Sequence, residues 1–303
     1  MQNVLISKII LIMKQIRIFI LIIASIAIVQ GCAIKPRESK ELVSATILPQ
    51  KFFIDKISNG NLAVNVMIPP GESHATYSPT ARQFQEMSDS KLYVSMGYIG
   101  YEQIWMSRLK ELNGEMNTLS LSDKIELITG IEDHGDHVHE GGIDPHVWMS
   151  PKSALKFMPI LKDALIKSFP HQKDSFEINY ASFEKELIEL DLLATEKLTN
   201  LKNKQFLIFH PALTYMARDY GLTQISIEQE GKEPSPAFLA SVIEKAKKDN
   251  IPVIFIQQEY DIRNAQLVSK EAGIHLVQIN PMNYEWLESM KEIINLLDRY
   301  LNE

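Results

Sequence analysis

Eight histidines occur in 303 residues, and three of them sit in matching places. His74 lies in PPGESHATYSPT, His146 in GIDPHVWMSP and His210 in FLIFHPALTYMARDYGL. Each falls at a strand-to-helix junction or in a loop entering a helix. In open α/β sheets ligands bind beyond the carboxyl ends of the strands, so imidazoles placed there can converge from separate segments. Imidazole is the commonest protein ligand for a borderline divalent ion, and three of them leave one coordination position open. Pro145 precedes His146 and Pro211 follows His210. Both prolines restrict the local backbone and fix how the ring enters the site.

A second group lies in EDHGDHVHEGG, residues 132–142, which holds His134, His137 and His139 among acidic residues. Short His/Asp-rich tracts gather metal ions loosely. His171 and His275 have no such context and read as structural. The single cysteine excludes an internal disulfide and every cysteine-rich metal motif. The H-E-x-x-H signature of metalloproteases is absent.

These histidines need elements to position them. Short β-branched runs at 43–48, 62–68, 92–95 and 125–129 alternate with helical patterns at 52–59, 101–112 and 151–169. A second series follows: strands at 205–209, 223–227, 252–256 and 275–279, and helices at 212–220, 235–249, 263–272 and from 284 onward. Strands alternating with helices of 10–15 residues mean βαβ units and mostly parallel sheets. Two such series predict two α/β lobes. Between them no proline occurs from 171 to 210 and no glycine from 143 to 220. Phe176, Tyr180, Phe183, Leu187, Leu190, Ala194, Leu198 and Leu201 repeat there at spacings of four and three. That is one apolar stripe on a single helix of about 27 residues, ~40 Å long. A stiff connection of this kind predicts modest lobe motion, with the metal site in the cleft between the lobes.

The composition, 45% hydrophobic and 23% charged, is that of a folded globular chain. A net charge of −7 argues against a nucleic-acid binder, which needs a basic face to displace counterions from phosphate. One stretch, 16–29, is strongly apolar and carries only Arg17; Lys14 precedes it and Gly31-Cys32 close it. A basic region, an apolar region and a small residue at the cut describe an export signal. Met13 would begin a compact signal, leaving 1–12 as an upstream mis-start.

Val29-Gln30-Gly31-Cys32 resembles the lipobox of bacterial lipoproteins, which makes Cys32 the lipidation site; Gln30 departs from the small or branched residue usual there. The other segments resemble the zinc/manganese substrate-binding lipoproteins of bacterial ABC transporters, the high-affinity zinc uptake family. The likeness runs from about Val43 to the C-terminus. It rests on DPHVW before a Ser-Pro helix start, on FHPA followed by Tyr215 and Ala217-Arg218-Asp219-Tyr220-Gly221, and on 226–247. The resemblance implies two α/β lobes joined by one long helix, with His74, His146 and His210 as ligands. The family's fourth ligand is commonly an acidic residue in a pattern like D-P-L, where this chain has Asn280-Pro281-Met282. Asn280, a water, Glu228 or Glu230 are therefore the fourth-donor candidates.

The resemblance further implies capture without chemistry: a monomer, lipid-anchored and extracytoplasmic in the cell envelope, that hands its cation to an ABC permease and its ATPase subunit. Zinc-specific members carry a His-rich loop before the second histidine motif, as at 132–142. Three imidazoles with a neutral fourth donor also suit zinc, whereas manganese prefers carboxylate oxygen. Expected organisation is a signal at 1–31, a tether at 32–42, a first lobe at 43–170, a linker helix at 171–203 and a second lobe at 204–303. Competing readings are manganese or iron capture, a zinc hydrolase, which would need a general base and a substrate pocket, and a metal-stabilised adhesin.

Overall fold

The computed structural model describes Met13 and residues 40–72, 77–133, 138–228 and 234–303, the side chains of 130–141 excepted. The expected signal and tether, with Cys32, and also His74, His134, His137 and Glu230 lie outside the described residues, as does the side chain of His139. Residues 40–303 form one compact unit.

Its first half is a four-stranded parallel sheet. Strand β1 (Leu42–Ala45) leads into α1 (Leu48–Ser58), β2 (Ala63–Val66), α2 (Ala81–Ser88), β3 (Leu92–Ser95), α3 (Gly100–Leu112) and β4 (Asn117–Ser120). The strand order is β2-β1-β3-β4, all parallel. An antiparallel hairpin follows, β5 (Thr129–Asp133) with β6 (Val138–Ile143), in which Glu132 pairs with His139. Helix α4 (Pro151–Ser168) then runs to α5 (Lys173–Thr199). The second half repeats the plan: β7 (Gln205–Ile208), α6 (Thr214–Tyr220), β8 (Thr223–Ser226), α7 (Pro236–Lys248), β9 (Val253–Gln257), α8 (Arg263–Ala272), β10 (His275–Ile279) and α9 (Trp286–Leu301). Its order is β10-β9-β7-β8, again parallel throughout. The two-lobe α/β class expected from the alternation is the observed one.

Several boundaries differ from expectation. Residues 125–129 form no strand apart from Thr129; the fourth strand of the first sheet is Asn117–Ser120. Ile125 is buried and Leu127 and Ile128 pack on the core, but as a loop. The true edge strand, with Leu119 as its one apolar residue, offers too weak a pattern to detect. The first strand ends at Ala45 and not at 48, because Pro49 sits in the first turn of α1, where its missing N–H costs nothing. Helix α2 was hidden by its polarity and announced only by Thr80 and Gln83. The Thr80 hydroxyl accepts from the Gln83 backbone while the Gln83 side chain accepts from the Thr80 backbone.

Helix α5 spans 27 residues and buries Phe176, Phe183, Leu187, Leu190, Ala194 and Leu198 against α4, α1 and α9. Its stripe feeds one continuous core reaching from Val43 and Tyr93 in the first sheet to Phe206, Phe255 and Ile294 in the second lobe. Strands β7 and β9 are buried on both faces. Phe206 and Phe255 join that continuous core, whereas Leu207 and Ile254 face a separate cluster under α7 and α8. Near-continuous apolar strands of this kind belong to parallel sheets covered by helices on both sides.

The halves are also pinned beside the hairpin. The Trp148 indole donates to the Pro281 carbonyl at 2.9 Å, and the Trp286 indole donates to the Trp148 carbonyl at 2.9 Å. The Ser150 hydroxyl donates to Asp219, and Lys152 reaches the Asp219 carbonyl at 2.8 Å. Both tryptophans are fully buried, so these bonds are made in a medium where losing one leaves a costly unpaired group.

Candidate metal centre

His210 follows β7 by two residues. In the order β10-β9-β7-β8 the strand order reverses at β7, with β8 added on one side and β9 and β10 on the other, and the crevice at such a switch point is where open sheets bind ligands. Gln257, the last residue of β9 and 1% exposed, clamps the His210 backbone from both sides. Its Nε2 donates to the His210 carbonyl at 2.7 Å, and its Oε1 accepts from the His210 N–H at 3.4 Å. The Tyr260 ring stacks on the imidazole at 5.2 Å and 18°. On the ring's other edge, Nδ1 meets Glu228 Oε2 at 2.7 Å.

His146 enters from the end of the hairpin, at the start of a short turn, Val147–Met149, and is 3% exposed. Asp144 holds it twice: its Oδ1 accepts the His146 backbone N–H at 2.8 Å and lies 2.8 Å from Nδ1. Asp144 is itself set by Tyr215, whose hydroxyl donates to its backbone carbonyl at 2.8 Å. Burial pushes the Asp144 carboxyl upward, but the His146 imidazole and the hydrogen bonds from His146 and the Thr214 hydroxyl hold it below the usual carboxylate range. Trp148 covers the ring, 5.2 Å between centroids.

The two imidazoles meet. His146 Nε2 and His210 Nε2 are 3.2 Å apart, with the rings at 74°. An ionised carboxylate only accepts, so Asp144 and Glu228 each select the tautomer with a proton on Nδ1 and a lone pair on Nε2. Two lone pairs aimed at one another repel unless a proton or a cation lies between them. With Zn–N distances of about 2.0–2.1 Å, a 3.2 Å separation corresponds to an N–Zn–N angle of about 103°, close to tetrahedral. Carboxylates on the outer ring nitrogens are the usual means of orienting metal-binding imidazoles.

Asn280 follows β10. Its Oδ1 accepts the Met282 N–H at 3.0 Å, and its carbonyl accepts from the Ser289 hydroxyl at 3.0 Å. Its carboxamide thus caps the turn into α9. Glu228 is engaged with the far nitrogen of His210. His171 and His275 sit on the surface, paired with Glu41 and Glu303.

Sequence reasoning missed Gln257, Glu259 and Tyr260. Glu259 is half-buried in the turn after β9. Burial holds its carboxyl above the usual carboxylate range, only partly offset by its own backbone N–H and the nearby His210 imidazole. The signal was available: QQEYD follows an apolar strand at the position that matches His210 after β7, and only the rarity of histidine singled out one strand end over the other.

The family model described as zinc-uptake complex component A, periplasmic, matches residues 43–299. The chain is 30% identical over 294 residues to the zinc-binding lipoprotein AdcA of Streptococcus pneumoniae, covering 92% of this chain and 56% of that protein. It therefore spans little more than half that relative's length. The high-affinity zinc uptake system protein ZnuA of Bacillus subtilis is 28% identical over 250 residues, covering 79% of this chain and 78% of its own. A crystal structure of ZnuA superposes with a TM-score of 0.79 at 28% identity, covering 86% of this chain and 98% of that one.

Proposed function

Since this chain belongs to the family of the periplasmic zinc-uptake component A, we propose that it captures a zinc ion outside the cytoplasm, between its two lobes, and delivers it to an ABC permease driven by a cytoplasmic ATPase. The observation that carries this reading is the 3.2 Å approach of two Nε2 atoms whose opposite nitrogens are each held by a carboxylate. His146 comes from the first lobe and His210 from the second, so the ion bridges the halves. His74 is the third ligand in this reading, on the strength of its motif. Cys32 carries the lipid that holds the body at the membrane, and 132–142 gathers ions ahead of the site.

Nothing in this arrangement asks for a reaction. The carboxylates nearest the imidazoles are occupied in orienting them, which leaves neither as a general base. Zinc is favoured over manganese because the donors identified are imidazoles, which suit the softer ion. The test is calorimetry with zinc and with manganese on residues 35–303, repeated on His210→Ala. Tight one-to-one zinc binding, weaker manganese binding and a collapse on substitution are expected. Equal or tighter manganese binding moves the cation assignment. Zinc binding that survives His210→Ala abandons the inter-lobe site.

A further inference from the structure

The hairpin that delivers His146 lacks one backbone bond at its open end. Thr129 lies opposite Ile143, so Ile128 and Asp144 are the next opposed pair. The Asp144 N–H reaches the Ile128 carbonyl at 2.9 Å, which marks them as a hydrogen-bonded pair. In an antiparallel ladder such a pair returns the bond, here from the Ile128 N–H to the Asp144 carbonyl. The Tyr215 hydroxyl stands in that place instead. It accepts the Ile128 N–H at 3.2 Å and donates to the Asp144 carbonyl at 2.8 Å. A hydroxyl carries one proton to give and lone pairs to receive, so it can replace one backbone bond by two. The side chain comes from α6 of the second lobe and is fully buried.

Two more groups of α6 grip the same stretch. Arg218 lies over the Tyr215 ring, 4.9 Å from its centroid, and donates to the Glu126 carbonyl at 2.6 Å. The Thr214 hydroxyl bonds the Asp144 carboxylate, the group that holds both the backbone N–H and the Nδ1 of His146. The other imidazole is attached to the start of the same helix. Only Pro211, Ala212 and Leu213 separate His210 from Thr214, and the His210 carbonyl accepts the Ala212 N–H at 2.7 Å. We propose that Tyr215 is a positioning residue for His146, a wedge that holds the last rung of the hairpin open and so turns Asp144 and the imidazole toward His210. This rests on the site described under Proposed function. His146 belongs to the first lobe by chain order but is aimed from the second, and α6 is the one frame that sets both rings, 3.2 Å apart, in the empty protein.

The test compares Tyr215→Phe with Tyr220→Phe, which removes from the same helix a hydroxyl that bonds Asp191 of α5 at 2.7 Å. Zinc affinity is read by chelator competition, ligand geometry by the visible absorption of the cobalt-substituted protein, and ring environment in the empty protein by nitrogen NMR of the histidines. In Tyr215→Phe the Ile128 N–H and the Asp144 carbonyl are left to bond each other, since a buried pair left apart is costly. That closure draws the Asp144 carboxylate off His146. Zinc should bind about 10–100-fold more weakly and the cobalt bands should shift. The His146 Nδ1 signal of the empty variant should move while its melting temperature stays near that of wild type. Tyr220→Phe should keep wild-type affinity and spectra. Zinc affinity within twofold of wild type, with unchanged cobalt bands and an unmoved His146 signal in Tyr215→Phe, overturns the assignment. An equal loss in Tyr220→Phe also overturns it, since that marks the stability of α6 and not the wedge. Arg218→Lys keeps the charge and loses the planar fork that reaches Glu126; it should move the same signals the same way by less. If Tyr215→Phe does not fold, wild-type signals in Arg218→Lys overturn the proposal. Wild-type zinc binding by His210→Ala would sink the underlying site instead, whereas the His146 signal, read without metal, still judges the wedge.

Discussion

Replacing Glu228 by glutamine tests how the imidazole of His210 is aimed. The side chain keeps its shape, so packing around a residue 8% exposed is preserved. What changes is the partner at 2.7 Å from Nδ1. A carboxylate can only accept and forces the proton onto Nδ1; an amide can present its NH2 group and stabilise the opposite tautomer, which puts a hydrogen on Nε2 where the cation should sit. Hydrogen bonds to charged groups contribute about 1.5–3 kcal/mol. Loss of the outer partner of a metal-bound imidazole typically costs about 10–100-fold in affinity, or about 1.4–2.7 kcal/mol. The two ranges overlap, so Glu228→Gln should raise the zinc Kd by about 10–100-fold, read by competition with a chromogenic chelator at pH 7.5. Melting of the empty variant controls for folding. A Kd within twofold of wild type would show that ring orientation comes from Gln257 and Tyr260 alone, and the carboxylate would have no part in the site.

Zinc affinity should fall steeply between pH 7.5 and 5.5, because coordination needs neutral imidazole and its reference pKa is about 6.5. Asp144 is held below the usual carboxylate range chiefly by the His146 imidazole acting against burial, so it stays ionised across that window and the loss belongs to the histidines. The slope of log Kd against pH should exceed one below about pH 6.5, since more than one ring must shed a proton; chelator competition across the range measures it, and a flat profile refutes a multi-histidine site. Leu187→Ala, at a fully buried position on α5, should cost about 2–5 kcal/mol. Because one core runs through both lobes, urea denaturation of this variant should remain a single transition by tryptophan fluorescence and circular dichroism; two separated transitions would mean that the lobes fold independently.

The long helix and the second lobe were legible in the sequence because their signals are dense. The α5 stripe repeats over more than six turns without proline or glycine, and 263–272 and 275–279 have clean boundaries set by Gly273 in the left-handed region. The first lobe was less legible where its elements are short and polar, as at Asn117–Ser120 and Ala81–Ser88. Of the site, motif spacing picked out His146 and His210, and the structure brings their Nε2 atoms together. The partners that orient them are contributed by ordinary Asp, Gln, Glu and Tyr residues. Their importance lies in which strand end neighbours which, a property of sheet order that a one-dimensional reading does not contain. At Asn280, to which a family pattern pointed, the side-chain oxygen accepts the Met282 N–H of the turn that follows.

The shared strand order has a further consequence. Reading β2-β1-β3-β4 beside β10-β9-β7-β8 makes the halves topological copies, each with its own reversal point: β1/β3 in one, β7/β9 in the other. In the second copy that socket receives His210. In the first it is already plugged from within. Glu102, 1% exposed, takes the backbone N–H groups of Met96 and Gly97 at 2.7 Å each, that of Ile99 at 3.3 Å and the hydroxyl of Thr46. A side chain of the protein thus occupies the place where an external ligand would otherwise enter. The duplicated frame thus has one socket closed by its own carboxylate and one that receives an imidazole, and the first copy sends in His146 from outside its sheet, on the loop beyond the hairpin.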